Sequence, residues 1–236
     1  SRKVTPQSLV EAAVSAQSIG IAYTYSEPYI WFETIMETGP LFKSRGLKNV
    51  LVTNGFMEHA PLMDLFGFVD AMNIDIKSIR PEFYEKLCNA KLKPVLTTCE
   101  IAKKMCHIEI TNLLIPGEND SVDDIRGLTD YIAANLGKDT PLHFSRYFPR
   151  YKMTSPATEE KTLLRAWEIA REKLDYVYVG NIETADKSNT NCPSCGKILV
   201  QRNGYNIKIT PTAEPLTTEK TLSCPSCGFK TNIVLS

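Results

Sequence analysis

Two short cysteine motifs near the end of the chain carry the most specific chemical signal in this sequence. The run 192–196 reads Cys-Pro-Ser-Cys-Gly, and the same five residues recur at 224–228. Two Cys-x-x-Cys motifs supply the four thiolates that a tetrahedral Zn²⁺ accepts, and the glycines permit tight turns around a metal. The spacing therefore predicts a zinc ribbon, with the ligands Cys192, Cys195, Cys224 and Cys227.

A metal held by four sulfurs has no open coordination position for a substrate, so the predicted ribbon says little about a reaction. Four thiolates also suit an auxiliary iron–sulfur cluster, and this alternative stays open, although the paired motifs favour zinc. The function has to be inferred from the rest of the chain.

Three more cysteines and three histidines show no metal-binding spacing. Cys88, Cys99 and Cys106 fall on predicted helices and at a strand start, not on one loop, so we expect them to be buried thiols. His59, His107 and His143 have no paired ligands nearby in sequence, so packing or surface roles are expected for them.

Polar residues follow five of the short apolar runs in the rest of the chain. They read Ser-Glu-Pro at 26–28, Thr-Asn-Gly at 53–55, Asp-Ile-Lys at 75–77, Pro-Gly-Glu-Asn-Asp at 116–120 and Ser-Arg-Tyr at 145–147. Loops are ordinarily hydrophilic, so one such run is weak evidence. In parallel α/β folds, however, the carboxyl ends of the strands carry function, and five polar ends in order predict a site there.

These strand ends require an α/β framework to bring them together. From residue 5 to 182, helical periodicity alternates with short β-branched runs, which is typical of repeated βα units around parallel strands. Strands are predicted at 20–25, 50–53, 71–76, 107–115 and 176–179, and a further strand is predicted to begin at 142–144. Helices are predicted over 29–46, with a break at Gly39-Pro40, and over 61–66, 81–87, 94–104 and 121–136. Two more helices are predicted to start at Thr5-Pro6 and at Thr158.

The domain organisation follows from these patterns. We expect a main domain over 1–182, a polar linker over 183–191 and the ribbon over 192–236. Lys+Arg and Asp+Glu are equal at 27 each, so no basic field favours nucleic acid or an anionic membrane as a partner. No apolar run reaches the roughly 18 residues of a membrane span, and no signal peptide opens the chain. With the cysteine pattern, this predicts a cytoplasmic protein.

The ordered segments 20–28, 50–55, 74–77, 113–117, 143–149 and 177–181 together resemble the radical S-adenosylmethionine (SAM) enzymes. Within them the chain is most similar to the radical SAM member of the AmmeMemoRadiSam system, which is related to the pyruvate formate-lyase activating enzyme. The resemblance covers nearly the whole chain. It implies a partial (βα)6 barrel of the TIM-like kind, with SAM lying across the carboxyl ends of the strands.

The resemblance also implies roles for particular residues. Glu27, in the turn with Ser26, would hold the amino group of SAM, and Thr53 and Asn54 match the family's Thr-Asn-Gly turn beside the cofactor. Asp75 and Lys77 match the Asp-x-Lys pair of the activating enzymes and are the candidate catalytic residues.

Two more positions are candidates for the cofactor site. Thr111 stands where the activating enzymes carry an arginine, so that contact cannot be transferred, and Asn112 is a weaker candidate there. Arg146 ends a predicted strand and needs an anionic partner, which is either a carboxylate of SAM or substrate, or a structural salt bridge.

One departure from the family is large. The Cys-x3-Cys-x2-Cys loop that holds its [4Fe-4S] cluster is absent from this sequence. Because residue 1 is Ser and residues 1–18 match the helix after that loop, we expect the chain to begin after the first strand and the cluster cysteines. The fragment is then expected to be inactive alone, with the cluster ligands outside it.

The intact protein is implied to cleave SAM with one electron from an external donor, forming a 5′-deoxyadenosyl radical that abstracts hydrogen from an unknown protein or small-molecule substrate. Proteins of the AmmeMemoRadiSam system are further candidate partners. Two alternatives remain: a binding or scaffold protein without a cluster, with the ribbon as its docking surface, and a barrel enzyme that uses Asp75, Lys77 and Glu27 for acid–base or Schiff-base chemistry.

Overall fold

The computed structural model describes residues 4–182, 184, 186–204, 206–210 and 221–234. Its fold is α/β, with six strands that follow one another in sequence order in one parallel sheet. The predicted α/β class and parallel sheet are confirmed. Across these described ranges, every helix is too short or too polar to cross a lipid bilayer.

The chain divides into two compact units, residues 1–112 and residues 113–236. The division predicted from the sequence, into a main domain, a linker and a ribbon, stays a prediction. Each compact unit is built differently, and each contains one part of the predicted chemistry.

The first unit alternates helices with parallel strands. Its strands are β1 (Gly20–Tyr23), β2 (Lys48–Thr53), β3 (Ala71–Asp75) and β4 (His107–Leu114), and β4 continues into the second unit. Its helices are α1 (Pro6–Ser15), α2 (Phe32–Ser44), α3 (His59–Leu65), α4 (Pro81–Phe83) and α5 (Leu92–Met105). A 3₁₀ turn over Pro28–Trp31 precedes α2, and a π-helical turn over Tyr84–Cys88 follows α4.

The strands of the first unit have one packed face and one partly open face. Along β2, β3 and β4 buried residues alternate with half-buried or exposed ones. Because successive side chains of a strand point to opposite faces, the alternation separates two surfaces. Leu51, Ile74 and Ile110 are fully buried on the packed face. Asn73 and Asp75 occupy the half-buried positions of β3, on the opposite face.

The predicted break at Gly39-Pro40 is wrong, because α2 runs through Pro40 without interruption. A proline inside a helix removes one backbone hydrogen bond, so packing has to compensate. The amide nitrogen of Asn49, which is fully buried, donates to the carbonyl oxygens of Gly39 (3.1 Å) and Phe68 (3.2 Å). A Cβ at Gly39 would lie 2.2 Å from the Phe68 ring, so tight packing at this point holds the helix.

The second unit begins with the same βα pattern. Helix α6 (Val122–Tyr131) continues as a π-helical turn over Ile132–Leu136, and β5 (Leu142–Arg146), α7 (Glu160–Arg171) and β6 (Val177–Gly180) follow. Ser121 caps α6, since its hydroxyl accepts from the Asp124 N–H at 3.1 Å.

Thr158 does not start α7, which corrects another prediction, since the helix is capped at Glu159 and begins at Glu160. The Thr158 hydroxyl instead donates to the carbonyl oxygen of Leu114 (2.6 Å) and accepts from the Tyr147 N–H (3.0 Å). A polar side chain that was predicted to start a helix therefore bonds to the carboxyl ends of two strands, at Leu114 of β4 and at Tyr147 directly after β5.

The last part of the chain forms two small antiparallel sheets. One contains β7 (Thr190–Asn191), β8 (Ile198–Asn203) and β9 (Asn206–Ile209), and the other contains β10 (Thr221–Ser223) and β11 (Lys230–Val234). Leu199, Val200 and Leu222 form a core with two cysteines, and all of them are at most 5% exposed. This core is small, so we expect other interactions to stabilise the sheets.

The segment before β7 packs along strand β6. The Val179 N–H donates to the Lys187 carbonyl oxygen at 3.1 Å, and the Lys187 ammonium lies 3.9 Å from the centre of the Trp167 ring. Arg202 of β8 donates to the Thr190 hydroxyl at 2.8 Å and lies over the Tyr178 ring. These contacts occupy a strand edge that would otherwise present unpaired backbone groups.

Candidate functional site

Glu27 forms the centre of the predicted site in the first unit. Its Oε1 accepts from the Thr53 hydroxyl at 2.6 Å, and its Oε2 accepts from the Asn54 backbone N–H at 2.8 Å. Thr53 ends β2 and Glu27 follows β1, so two neighbouring parallel strands bring these groups together. The structure thus assembles three of the residues that were predicted to surround the cofactor.

Backbone and aromatic contacts hold Glu27 in place. Its carbonyl oxygen accepts from the Trp31 indole N–H at 3.1 Å, and the Trp31 ring packs edge-on against Tyr23, with centroids 6.0 Å apart. Oε1 also accepts from the Tyr29 N–H at 3.5 Å. Because each carboxylate oxygen has two acceptor positions, Oε2 keeps one for a ligand. A half-buried carboxylate of this kind suits a positively charged group such as an ammonium.

The turn after β2 depends on a glycine. Gly55 has φ +71°, and a Cβ added there would lie 2.8 Å from the Ile74 side chain and 3.2 Å from Val95. Its N–H donates to the Thr53 hydroxyl at 3.1 Å, which fixes that hydroxyl toward Glu27. The Asn54 amide oxygen accepts from the Phe56 N–H at 2.8 Å, so this side chain stabilises the same turn.

Asp75 and Lys77 form a salt bridge at the end of β3. Both side chains are about one-third exposed, at 29% and 33%. The neighbouring strand β2 ends beside β3, with Thr53 paired to Ile74 in the parallel register. The two predicted catalytic side chains therefore contact each other, at the same edge of the sheet as Thr53.

Tyr84 was not predicted as part of this site. Its hydroxyl accepts from the Lys77 backbone N–H at 3.0 Å, and it begins the π-helical turn over Tyr84–Cys88. Burial raises the pKa of Tyr84 well above its ordinary value, so the hydroxyl keeps its proton. The π-helical turn is the one available signal, because such turns are frequent at functional sites. It could not be recognised in the sequence.

Asn112 supports the loop after β3 from the packed side of the sheet. It is 2% exposed, and its amide nitrogen donates to the carbonyl oxygens of Ile76 (2.7 Å) and Lys77 (3.2 Å). On the open face, the Thr111 hydroxyl donates to the Asn73 amide oxygen at 2.8 Å. Thr111 thus takes part in a neutral polar pair at the position where the activating enzymes carry an arginine.

Two further residues, Ser26 and Arg146, were predicted for the cofactor site. Ser26 is exposed, and its side chain makes no hydrogen bond with the described residues. Arg146 ends β5 in the second unit, where its Nε donates to the Thr158 carbonyl oxygen at 2.8 Å. Whether either residue contacts a cofactor stays a prediction.

Four cysteines converge in the second unit as predicted. The Sγ atoms of Cys192, Cys195, Cys224 and Cys227 all lie within 4.8 Å of one another. Two cross-motif pairs, Cys192 with Cys227 and Cys195 with Cys224, have Sγ atoms 3.6 Å apart. Four sulfurs around one Zn²⁺ at about 2.3 Å would lie about 3.8 Å apart, so the spacing fits a tetrahedral metal.

The two cysteine motifs fold into matching turns. The Gly196 N–H donates to the Cys192 carbonyl oxygen at 2.9 Å, and the Gly228 N–H donates to the Cys224 carbonyl oxygen at the same distance. Both glycines have positive φ, +75° and +72°, which L side chains rarely adopt. Each motif thus requires its glycine to return the chain around the site.

The other three cysteines form no comparable group among the residues that the structure describes. The prediction of buried thiols is confirmed for Cys99, which is fully buried, but it is wrong for Cys88, which is exposed. Cys106 is half-buried. Burial raises the pKa of both Cys99 and Cys106 to about 12, so both thiols keep their protons at neutral pH.

The histidines have the packing and surface positions that were expected. His59 is exposed at the start of α3. His107 begins β4, with its Nε2 atom 3.3 Å from the Glu109 carboxylate, and the His143 ring stacks on Tyr178 at 4.9 Å. None of the three belongs to a metal-binding group in the described ranges.

Comparison with known sequences gives two findings. The model of the family described as the radical SAM superfamily matches residues 1–129, which is more than half of the chain. An uncharacterized protein of Methanocaldococcus jannaschii is 44% identical over 237 residues, which covers 99% of this chain and 69% of that protein. The name of this relative states no activity.

Solved structures show the same fold at low identity. A domain of pyruvate-formate lyase-activating enzyme from Bacteroides vulgatus superimposes with a TM-score of 0.59 and 17% identity, covering 69% of this chain and 99% of that chain. A radical SAM methyltransferase from Sphaerobacter thermophilus has a TM-score of 0.60 and 16% identity, covering 84% of this chain and 62% of that chain. Similarity at this level of identity supports the fold alone.

Proposed function

This chain belongs to the radical SAM superfamily, and on that basis we propose that it contributes the SAM-binding part of an enzyme of the AmmeMemoRadiSam type, related to the activating enzymes. The superfamily carries out SAM-dependent radical chemistry, in which SAM supplies a 5′-deoxyadenosyl radical that abstracts hydrogen from a substrate. The substrate here is unidentified, either a protein or a small molecule. An external one-electron donor and partner proteins of that system belong to the same proposal, as does a cytoplasmic location.

One observation carries the proposal: the Glu27 carboxylate is oriented by Thr53 and Asn54 at the ends of two adjacent strands. Its charge and its acceptor positions fit the ammonium of a methionyl group. Thr53 holds the Glu27 carboxylate, and Gly55 forms the turn after β2. Asp75 and Lys77 form a charged pair at the end of the next strand, β3. In this proposal that pair lies near the cofactor and substrate.

The residues of this chain fit SAM better than they fit the [4Fe-4S] cluster of the family. The sequence has no Cys-x3-Cys-x2-Cys, and the described residues bring together no thiols other than the four of the ribbon. We therefore assign no cluster ligand within these 236 residues. For the ribbon we propose zinc, because four closed thiolates in two matching turns are typical of structural zinc sites.

The Schiff-base alternative receives no support. In that alternative the Lys77 amine attacks a carbonyl, whereas the structure engages this amine with the Asp75 carboxylate. The scaffold alternative is not favoured either, since the superfamily assignment points to SAM-dependent chemistry.

The proposal is tested by the affinity for SAM of the wild type, Glu27→Gln and Glu58→Gln. Glu58 is exposed three residues after Gly55 and makes no side-chain capping hydrogen bond, so it controls for the loss of one negative charge nearby. Hydrogen bonds to charged groups contribute about 1.5–3 kcal/mol, so Glu27→Gln is expected to weaken SAM binding about 10- to 100-fold. Equal affinity of all three proteins, measured by calorimetry, would contradict the assignment of Glu27.

A further inference from the structure

Strand β9 is the outer strand of the small three-stranded sheet that contains β7 and β8. The strand order is β7-β8-β9, so within the described residues β9 has a neighbouring strand on one side only. All four residues of β9, Asn206–Ile209, are exposed. A strand edge of this kind presents backbone N–H and C=O groups that can pair with another chain.

The register between β8 and β9 identifies the backbone groups that face this outer edge. The Thr210 N–H donates to the Leu199 carbonyl oxygen at 2.8 Å, in line with the antiparallel pairing of the two strands. In an antiparallel pair, hydrogen-bonded positions alternate with positions whose backbone groups point away from the partner strand. The backbone of Lys208 therefore bonds to β8, whereas the N–H and C=O groups of Ile207 and Ile209 point to the outer edge.

The side chains of β9 give this edge one apolar face and one cationic face, because successive side chains of a strand point to opposite faces. Ile207 and Ile209 share a face and are 63% and 45% exposed. Lys208 lies on the other face, and it lines a groove together with Lys197 and Gln201. An extended chain in which apolar and acidic side chains alternate would match both faces.

The charge near this edge favours an acidic partner. Residues 187–210 contain four cations and neither Asp nor Glu. Two of these cations, Lys187 and Arg202, lie over aromatic rings. Lys197 directly follows a cysteine motif, so its charge offsets part of the negative charge of the thiolates. Lys208 is the cation on the edge strand itself, where it attracts a carboxylate.

We propose that β9 binds an extended acidic segment of a partner protein by strand addition. The segment forms main-chain hydrogen bonds with Ile207 and Ile209 and places a carboxylate across from Lys208. A second copy of this chain fits less well, since two paired β9 strands bring like charges together. Nucleic acid fits less well too, because it has no strand backbone to pair with the outer edge. The proposal does not depend on the binding of SAM.

Amide NMR on the whole chain tests the proposal with a capped peptide, Thr-Val-Glu-Val-Glu-Val-Thr, whose valines and glutamates alternate to match β9. A second peptide has lysine in place of both glutamates, and a third is N-methylated at its valines, which removes their backbone donors. The variant Lys208→Glu reverses the charge at the edge. Its matched control is Lys230→Glu, which changes an exposed cation at the start of β11 in the other small sheet.

Without peptide, the amides of Ile207 and Ile209 are expected to exchange quickly with solvent, while the Lys208 amide, bonded to β8, exchanges slowly. The acidic peptide should shift the resonances of Ile207 and Ile209 saturably and slow their exchange. The basic peptide should bind about 10-fold more weakly, and the N-methylated peptide should leave both amides unchanged. Lys208→Glu should reverse the preference between the two charged peptides, and Lys230→Glu should keep it.

The proposal is overturned if the acidic peptide leaves both amides unchanged up to its solubility limit, or if the two charged peptides bind the wild type equally. Protection of Ile207 and Ile209 without peptide also overturns it. Protection that persists on dilution would show that the chain itself covers the edge, and protection that is lost on dilution would show a second copy. A single-stranded DNA oligonucleotide that binds while the acidic peptide does not would make nucleic acid the partner. The peptide titrations of the wild type decide without relying on the folding of any variant.

Discussion

The two candidate sites of this chain are built in opposite ways. The four-cysteine site consists of two copies of one five-residue motif, and each copy closes its own turn through a glycine. The strand-end site joins single residues that are distant in sequence: Glu27 contacts Thr53 and Asn54, which are 26 and 27 residues away. A site with local geometry can be recognised in a sequence, whereas a site assembled by a sheet depends on which strands become neighbours.

The largest effect is expected from removing a metal ligand. Cys224→Ser should reduce the metal content from about one per chain to about zero and unfold the ribbon, because structural zinc sites contribute about 10–16 kcal/mol of apparent binding free energy to folding. Elemental analysis for zinc and iron, with hydrogen exchange over the ribbon, measures both effects. Cys88→Ser is the control, since Cys88 is exposed and outside the group. Full metal retention in Cys224→Ser would show that the four sulfurs do not form the site.

A glycine pair tests how tightly the strand-end site is packed. Gly46 and Gly55 share φ +71°, but a Cβ meets nothing within 4 Å at Gly46, whereas at Gly55 it approaches Ile74 to 2.8 Å. Gly46→Ala should cost about 1–2 kcal/mol from backbone strain. Gly55→Ala should cost about 1–3 kcal/mol more from overpacking. Urea unfolding of both variants provides the comparison, and equal costs would mean that the turn relaxes freely.

A smaller effect is expected where the ribbon sheet meets strand β6. Arg202→Met removes the hydrogen bonds to Ser188 (3.0 Å) and Thr190 (2.8 Å), so it should lower the free energy of unfolding by about 1–3 kcal/mol. The Val179 amide should then exchange faster with solvent. Lys208→Met, on the exposed strand β9, is the matched loss of a cation and should change neither quantity. If the Val179 amide exchanges at an unchanged rate in Arg202→Met, the contacts of Arg202 do not protect the edge of β6.

The smallest effect concerns a cysteine outside both sites. Burial raises the pKa of Cys99 from 9.0 to about 12, so the folded protein keeps a proton that the unfolded chain loses above pH 9. Its contribution to stability is therefore present below pH 9 and is lost as the pH rises toward 12. Between pH 9 and 11, the unfolding free energy of the wild type should fall more steeply than that of Cys99→Ala, by up to about 1.4 kcal/mol per pH unit. If the unfolding free energies of the two proteins fall in parallel with pH, the pKa of Cys99 is not raised.

Much of the fold could be predicted because its signals are local. The six strands appear within a few residues of their predicted positions, since β-branched runs and helical periodicity are read over short windows. The predictions failed where a long-range contact overruled a local preference. Asn49 and Phe68 hold α2 through Pro40, and Thr158 bonds to Leu114 and Tyr147 instead of capping α7.

The two candidate sites show the same difference between local signals and long-range contacts. Residue types and spacing by themselves determined the four thiol ligands, the α/β alternation and the polar strand ends, because each is a short-range pattern. Only the tertiary structure decided that Thr53 and Asn54 orient Glu27, that Asn112 supports the loop beneath Lys77, and that Arg146 meets a backbone carbonyl and a ring within the described residues. Hydrogen bonds and ion pairs act over a few ångströms, so they form only between groups that the folded sheet has already brought together.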